Sequence, residues 1–247
     1  MGVKPQMITN PKTLHHPTLG TVHITERANA RNIIMRWKQE TVHVTVRHGC
    51  PTEAISEAIE RNIHRLEAAR PSTVRFSIGQ TLSLDGFSFR IEQSPQSSPR
   101  LSATFSNDEA LILVGKDVDM DSTELTKSIS HLMLDIAHKV AWHHLSPIAR
   151  GISDRLGMTP SGWKIVRGTR KLGHCDSRRV IALSSALIFL PEEIRQYIIC
   201  HEIAHLTQMN HSPRFHALCD TYCHTILKQS AAGIEARLRK YRWPILR

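Results

Sequence analysis

The stretch YIICHEIAHLTQMNHSP, residues 197–213, decides how this chain is read. It opens apolar, as a helix with a buried side does, and then sets His201-Glu202-Ile203-Ala204-His205. Positions i and i+4 of a helix lie on one face about a turn apart, so His201 and His205 can present both imidazoles to one ion. Glu202 stands one step along, off that line, where it can face the ion's open position and take a proton from water. Upstream, Pro191 fits the first helical position, and Glu192 and Glu193 suit the positive end of the helix macrodipole.

Two histidines leave a zinc site incomplete, because a catalytic site wants three protein ligands and a water. His211 is the best third candidate. Asn210 tolerates the left-handed conformation common just after a helix, and Ser212-Pro213 reads as the N-cap and first position of the next one. His211 is therefore expected on a tight turn between two helices, with its ring free to point back. Glu235 is the alternative third ligand, although its neighbours Arg237 and Arg239 favour a solvated ion pair. The histidine and glutamate content makes a chance H-E-x-x-H expected only ~0.06 times, and ~0.004 times with the third histidine. His15-His16, His131, His138 and His143-His144 lack ligand spacing and read as ordinary polar positions. His174 and His216 flank the motif.

Working outward, Thr21–Thr25 and Thr41–Val46 alternate β-branched and polar residues, as half-buried strands do. Pro51-Thr52 introduces a helix with Ala54, Ile55, Ala58, Ile59, Ile63 and Leu66 on one side. Further strands are expected at Ser72–Ile78, Phe87–Glu92, Leu101–Ser106 and Ala110–Val114, with a loop at Gln93–Arg100. A long helix opens at Asp121 or Ser122 and carries Leu125, Ile129, Leu132, Met133, Ile136 and Val140 on one face, until Pro147 interrupts it. Short strands follow at Trp163–Gly168 and Arg179–Leu183. No internal repeat is visible. The pattern predicts an α+β fold with a polar tail over 1–19, a β-rich region over 20–120, and a helical core with a small sheet over 121–247 that ends in a basic helix.

The chain has 247 residues, 40% of them hydrophobic and 22% charged, which is ordinary soluble globular composition. It contains no run of ~20 apolar residues that would span a bilayer and no apolar leader near the N-terminus, so the cytoplasm is the expected compartment. The five cysteines are scattered and odd in number, which argues against a disulfide framework. Cys219 and Cys223 lie on a helical pattern beside Leu218 and Tyr222, where buried thiols are expected. A net charge of +10 favours a polyanionic partner such as nucleic acid or, equally, a plain basic surface. The densest basic segment is Arg237–Trp243, with aromatics interleaved.

These segments together resemble the YgjP-like zinc metallopeptidases, zincin-like proteins related to the SprT-like and WLM proteases. His201-Glu202-Ile203-Ala204-His205-Leu206 followed by Asn210-His211-Ser212-Pro213-Arg214-Phe215 is similar to the family's "HELAHL…NHS..FW". Leu172-Gly173-His174-Cys175 stands where the family has Trp-Gly-Ser-Cys. Val180–Leu183, Leu190-Pro191 and Tyr197–Ile199 match its later segments, and Arg27–Ile33 and Phe76–Gly79 its early strands. The resemblance covers the chain from about residue 20 and is specific over 163–223. It implies one zinc per chain held by His201, His205 and His211, with Glu202 as general base. It also implies that Val180–Leu183 lines the cleft and pairs with an extended peptide. Here His174 replaces Ser, Leu172 replaces Trp and His216 replaces Trp, which bears on substrate preference rather than on the ligands.

The expected function is hydrolysis of peptide bonds by a zinc-activated water, with His174, Arg214 and His216 as candidates for contacting the oxyanion or substrate. The alternative is a nucleic-acid-associated module in which the basic surface is the working part. A structural zinc normally has four protein ligands, and only three candidates stand at the motif, which favours catalysis.

Overall fold

The computed structural model of the chain describes residues 12–38, 41–70, 74–95 and 101–246, so most of the expected 93–100 loop lies outside the described residues. The chain divides into two compact units, Met1–Thr73 and Val74–Arg247. The expected 20–120 region is thus split between them.

The first unit contains β1 (Thr13–His16), β2 (Gly20–Arg27), β3 (Ile34–Lys38) and β4 (Thr41–Arg47). They form a sheet in the order β1-β2-β4-β3. β2 and β4 run parallel and the outer pairs antiparallel. Strict alternation buries Val22, Ile24, Val42, Val44 and Val46 on one face. Ile55 and Ile59 of α1 (Thr52–Arg61) and Leu66 of α2 (Ile63–Ala68) complete that core. β1 falls inside the span read from sequence as a polar tail. Leu14 and Leu19 are buried there, and so is His16, whose Nε2 meets a Glu60 carboxylate oxygen at 3.0 Å while Nδ1 accepts the N–H groups of Thr18 and Leu19. A buried histidine with all its partners supplied reads as polar in sequence but behaves as core.

The second unit opens with β5 (Thr81–Leu84), β6 (Phe87–Gln93), β7 (Leu101–Phe105) and β8 (Glu109–Val114), in the order β5-β6-β8-β7. Again the central pair is parallel and the outer pairs antiparallel. The sheet topology therefore repeats although the sequence shows no repeat, because strand order depends on alternation and connections rather than on residue identity. The strand expected at Ser72–Ile78 is not formed over its described part, where the chain is unpaired and Phe76 is buried.

α3 (Thr123–Arg155) begins after Ser122, as expected, but runs unbroken through Pro147. The buried stripe continues past it through Leu145, Ala149 and Ile152. Pro147 and His143, whose carbonyl loses its helical partner, are both on the exposed side of the helix. A small sheet follows, of β9 (Gly162–Val166), β10 (Gly173–Cys175) and β11 (Val180–Ser184), in the order β10-β11-β9. Then come α4 (Glu192–Ala204), α5 (Pro213–Leu227) and α6 (Ala231–Lys240). The fold is α+β, and one core joins Phe87, Phe89 and Ile112 of the second sheet to α3 and α4. Among the described residues no helix is long and apolar enough to cross a membrane.

α4 is pinned at its start. Asp85, in the β5–β6 turn, accepts the Glu192 N–H on Oδ2 at 2.7 Å and the Arg195 guanidinium on Oδ2 and its backbone oxygen, both at 3.2 Å. Arg195 is buried, so its charge needs this partner. Pro191 takes the N-cap rather than the first helical position. The Arg237 guanidinium of α6 donates to both carboxylate oxygens of Glu193, and Tyr241 donates to the Phe189 carbonyl.

Candidate metal centre

α4 carries His201 and His205 on one side, with ring centroids 5.1 Å apart. The helix stops immediately afterwards. Its last turn tightens, with Leu206 N–H donating to Ile203 at 3.0 Å and Thr207 and Gln208 N–H to Ala204 at 3.1 and 3.0 Å. Asn210 is not left-handed, contrary to expectation; the described non-glycine residues with positive φ are Arg179 and Lys228. The stop is made from elsewhere. Asp176 Oδ1 accepts the N–H groups of Arg178 and Val180, closing a turn that puts Arg179 at φ 63°, and Arg179 Nη1 donates to the Leu206 carbonyl at 2.9 Å. A cation on the free carbonyls of a helix end is favourable.

Ser212 then caps α5, its Oγ accepting the Phe215 N–H at 3.3 Å, with Pro213 in the first turn. This returns His211 to α4. His211 Nε2 lies 3.1 Å from His201 Nε2, and one ligand atom from each of His201, His205 and His211 lies within 4.8 Å of the others. Tetrahedral zinc with Zn–N of about 2.05 Å sets nitrogens ~3.3 Å apart, so the triad needs only a small closure to hold an ion. His205 Nδ1–H donates to the Gln208 carbonyl at 3.0 Å, which fixes the tautomer and leaves Nε2 with its lone pair. Burial lowers the His205 pKa, against the opposing Gln208 bond, and so favours the neutral form that a metal requires.

Phe215 forms the floor of the triad. It is fully buried, with its ring centroid 4.8, 4.4 and 4.7 Å from those of His201, His205 and His211. Its packing against all three rings restricts their rotation. The sequence offered Phe215 only as part of a resemblance, since one aromatic on a helical pattern reads as core.

Glu202, the next residue after His201, lies against Gly173 of β10 and is buried. A Cβ on Gly173 would stand 2.7 Å from both Cγ and Oε1 of Glu202, so only glycine at that position lets the carboxylate lie where it does. Burial pushes the Glu202 pKa up to about 7, with Lys171 pulling the other way. Its Oε2 is buried without a hydrogen-bond partner among the described residues, which marks a place where a water or substrate group belongs. Gly173→Ala should therefore displace the carboxylate while leaving the imidazoles in place. A misplacement of this size costs on the order of 10²-fold in rate. Activity and zinc content measured together check this, and an unchanged rate would show that the carboxylate position is not critical.

The flanking residues divide. His216 is exposed, 6.3 Å from His211 between ring centroids, and Arg214 is exposed in the first turn of α5. His174 follows Gly173 on β10, so strand alternation turns it to the face opposite Glu202. Glu235 pairs with Arg239 at 2.5 Å on α6 and is not in the triad. Cys219 and Cys223 are buried thiols, as expected. β11 is the central strand, paired with β10 on one side and β9 on the other, so it has no edge for a peptide; the sheet edge beside Glu202 belongs to β10. In the basic tail, Arg237 and Arg239 are already paired with carboxylates, and Trp243 is buried.

A family model for the YgjP-like metallopeptidase domain matches residues 31–232. The chain belongs to the YgjP-like metallopeptidase family. It is accordingly a metal-dependent peptidase, and the histidine triad lies within the matched span. Among solved structures, the chain is similar to the metallopeptidase zymogen of Pyrococcus abyssi abylysin, at 23% identity over 41% of this chain and 99% of that one, with a TM-score of 0.34. It is also similar to the metallopeptidase zymogen of Methanocaldococcus jannaschii jannalysin, at 22% identity over 39% and 94%, with a TM-score of 0.33. No curated protein matches.

Proposed function

We propose that this YgjP-like protein is a zinc peptidase in which His201, His205 and His211 hold one ion and Glu202 is the general base. The observation that carries the reading is the convergence of three imidazoles from the end of α4 and the turn that follows it, with ligand atoms within 4.8 Å of one another. Three neutral nitrogens suit zinc and leave a coordination position open. The ion supplies Lewis acidity to the scissile carbonyl and the attacking water.

The chain's own residues do the rest. Glu202 Oε2 is the unpartnered acceptor, and a carboxyl brought near neutrality can both take the proton of the attacking water and return it to the leaving amine. The β10 edge gives an extended peptide a strand to pair with, and Gly173 on that strand keeps the backbone close to Glu202. His216, exposed and with its ring centroid 6.3 Å from that of His211, is a proposed donor for the substrate carbonyl. Arg214 is a further proposed substrate contact, and His174 is proposed to meet substrate only on the other face of β10. The proposed partner is a peptide or protein substrate, and the proposed compartment is the cytoplasm.

Protein expressed with zinc should carry one zinc per chain by elemental analysis and lose it to a chelator. Acid should also release the metal, because each ligand must be deprotonated to bind. A stoichiometry of zero would remove the metal from the account.

A further inference from the structure

The first unit has an open face that the peptidase reading leaves unused. One row crosses all four strands: Thr13 beside His23, His23 beside His43, and His43 beside Arg36. To one side of that row Lys38 stands beside Thr41, and to the other Arg27 stands beside Arg47. Every other position on this face is threonine, His15 or Ile34, so among the described residues it holds no carboxylate. The described carboxylates of the unit are Glu26, which points to the buried side and pairs with Lys12 and His48, and the glutamates of α1 and α2. The described charge on this sheet face is therefore all basic.

Arg27, Arg36, Lys38 and Arg47 are all exposed, and among the described residues none has an ion pair. At the centre the rings of His23 and His43 stack, with centroids 4.9 Å apart and planes 20° from parallel. Partial burial, with Lys38 and His23 beside it, lowers the His43 pKa and keeps that ring neutral. The second sheet, of the same topology, provides a contrast: its outer face carries Leu111 and Leu113 beside an Arg90–Glu92 ion pair. The basic character of the first face is therefore not a by-product of this sheet architecture.

We propose that this face binds single-stranded nucleic acid. Four cations without an ion pair among the described residues, and a field of threonine hydroxyls, match a phosphodiester backbone, whose charge dominates such binding. The stacked rings at the centre favour nucleic acid over an acidic protein, because bases stack on planar side chains and accept their N–H groups. A sheet face has no helix or ribbon to enter a duplex groove, whereas splayed bases lie flat across it.

The test is fluorescence anisotropy of the full-length, zinc-loaded protein with labelled oligothymidylate and oligouridylate of about twelve nucleotides. With four phosphate contacts, log affinity should fall with log salt at a slope of about −3, or about 50-fold between roughly 50 and 200 mM. The variant Arg27→Ala/Arg36→Ala/Lys38→Ala/Arg47→Ala should abolish that slope, and His23→Ala/His43→Ala should weaken binding about tenfold. Either variant must melt as the wild type does. If the charge variant unfolds, photocrosslinking of a bromouridine oligonucleotide to wild type replaces it, with adducts expected on β2, β3 or β4. No binding at low salt, undiminished binding by a folded charge variant, or adducts confined to other elements would overturn the proposal. So would polyglutamate competing as well as the oligonucleotide, or duplex binding more tightly than single strand.

Discussion

Glu202→Gln is expected to keep its zinc and to cleave peptides ~10²–10⁴-fold more slowly than wild type. Glutamine is nearly isosteric, so it fills the space that Gly173 leaves and does not disturb the packing of α4. The imidazoles of His201, His205 and His211 supply the ligand atoms without this carboxylate and remain free to bind metal. What is lost is the proton acceptor: an amide cannot take a proton from water at neutral pH, and it cannot return one to the leaving amine. The two measurements are zinc stoichiometry and cleavage rate on any substrate the wild type accepts. A variant that cleaved at the wild-type rate with zinc bound would end the catalytic assignment of Glu202.

His211→Ala is expected to weaken zinc binding by more than about 100-fold, since loss of an outer-shell partner alone costs 10–100-fold. Cleavage should fall with the metal. The paired control is Glu235→Ala. That carboxylate is already engaged by Arg239 and stands outside the triad, so its removal should leave zinc content and rate unchanged. Retention of zinc by His211→Ala together with its loss in Glu235→Ala would transfer the third ligand to α6. Competition with a chromogenic chelator reads both variants on one scale.

The parts of this site that were legible in the sequence are those set by short spacing. The His201–His205 pair needs only a helix, and Ser212-Pro213 announces the next one, because an N-cap acts within three residues. The supports were not legible, since each acts across the fold. Gly173 stands 29 positions before Glu202 in the chain, and nothing local distinguishes its role from that of a loop glycine. Arg179 ends α4 from a hairpin, which is why Asn210 has no need of the left-handed conformation assigned to it. At Pro147 local propensity favours a break, but the buried stripe on either side of it outweighs the loss of one helical bond on the exposed side. β11 reads as an exposed substrate strand from its position in the motif order, and only the sheet pairing shows β10 on its open side. The duplicated sheet topology leaves no trace in the sequence because two segments can share an alternation pattern without sharing residues.

The central claim is that a zinc ion on the histidine triad makes this chain a peptidase, and an unbiased peptide-library cleavage assay tests it most directly. Three preparations are compared: zinc-loaded protein, the same protein after chelation and dialysis, and the chelated protein reloaded with one equivalent of zinc. The account predicts cleavage by the first, none by the second and full recovery in the third. Cleavage that survives removal of the metal, or a fully loaded protein that cuts no peptide in the library, would contradict it.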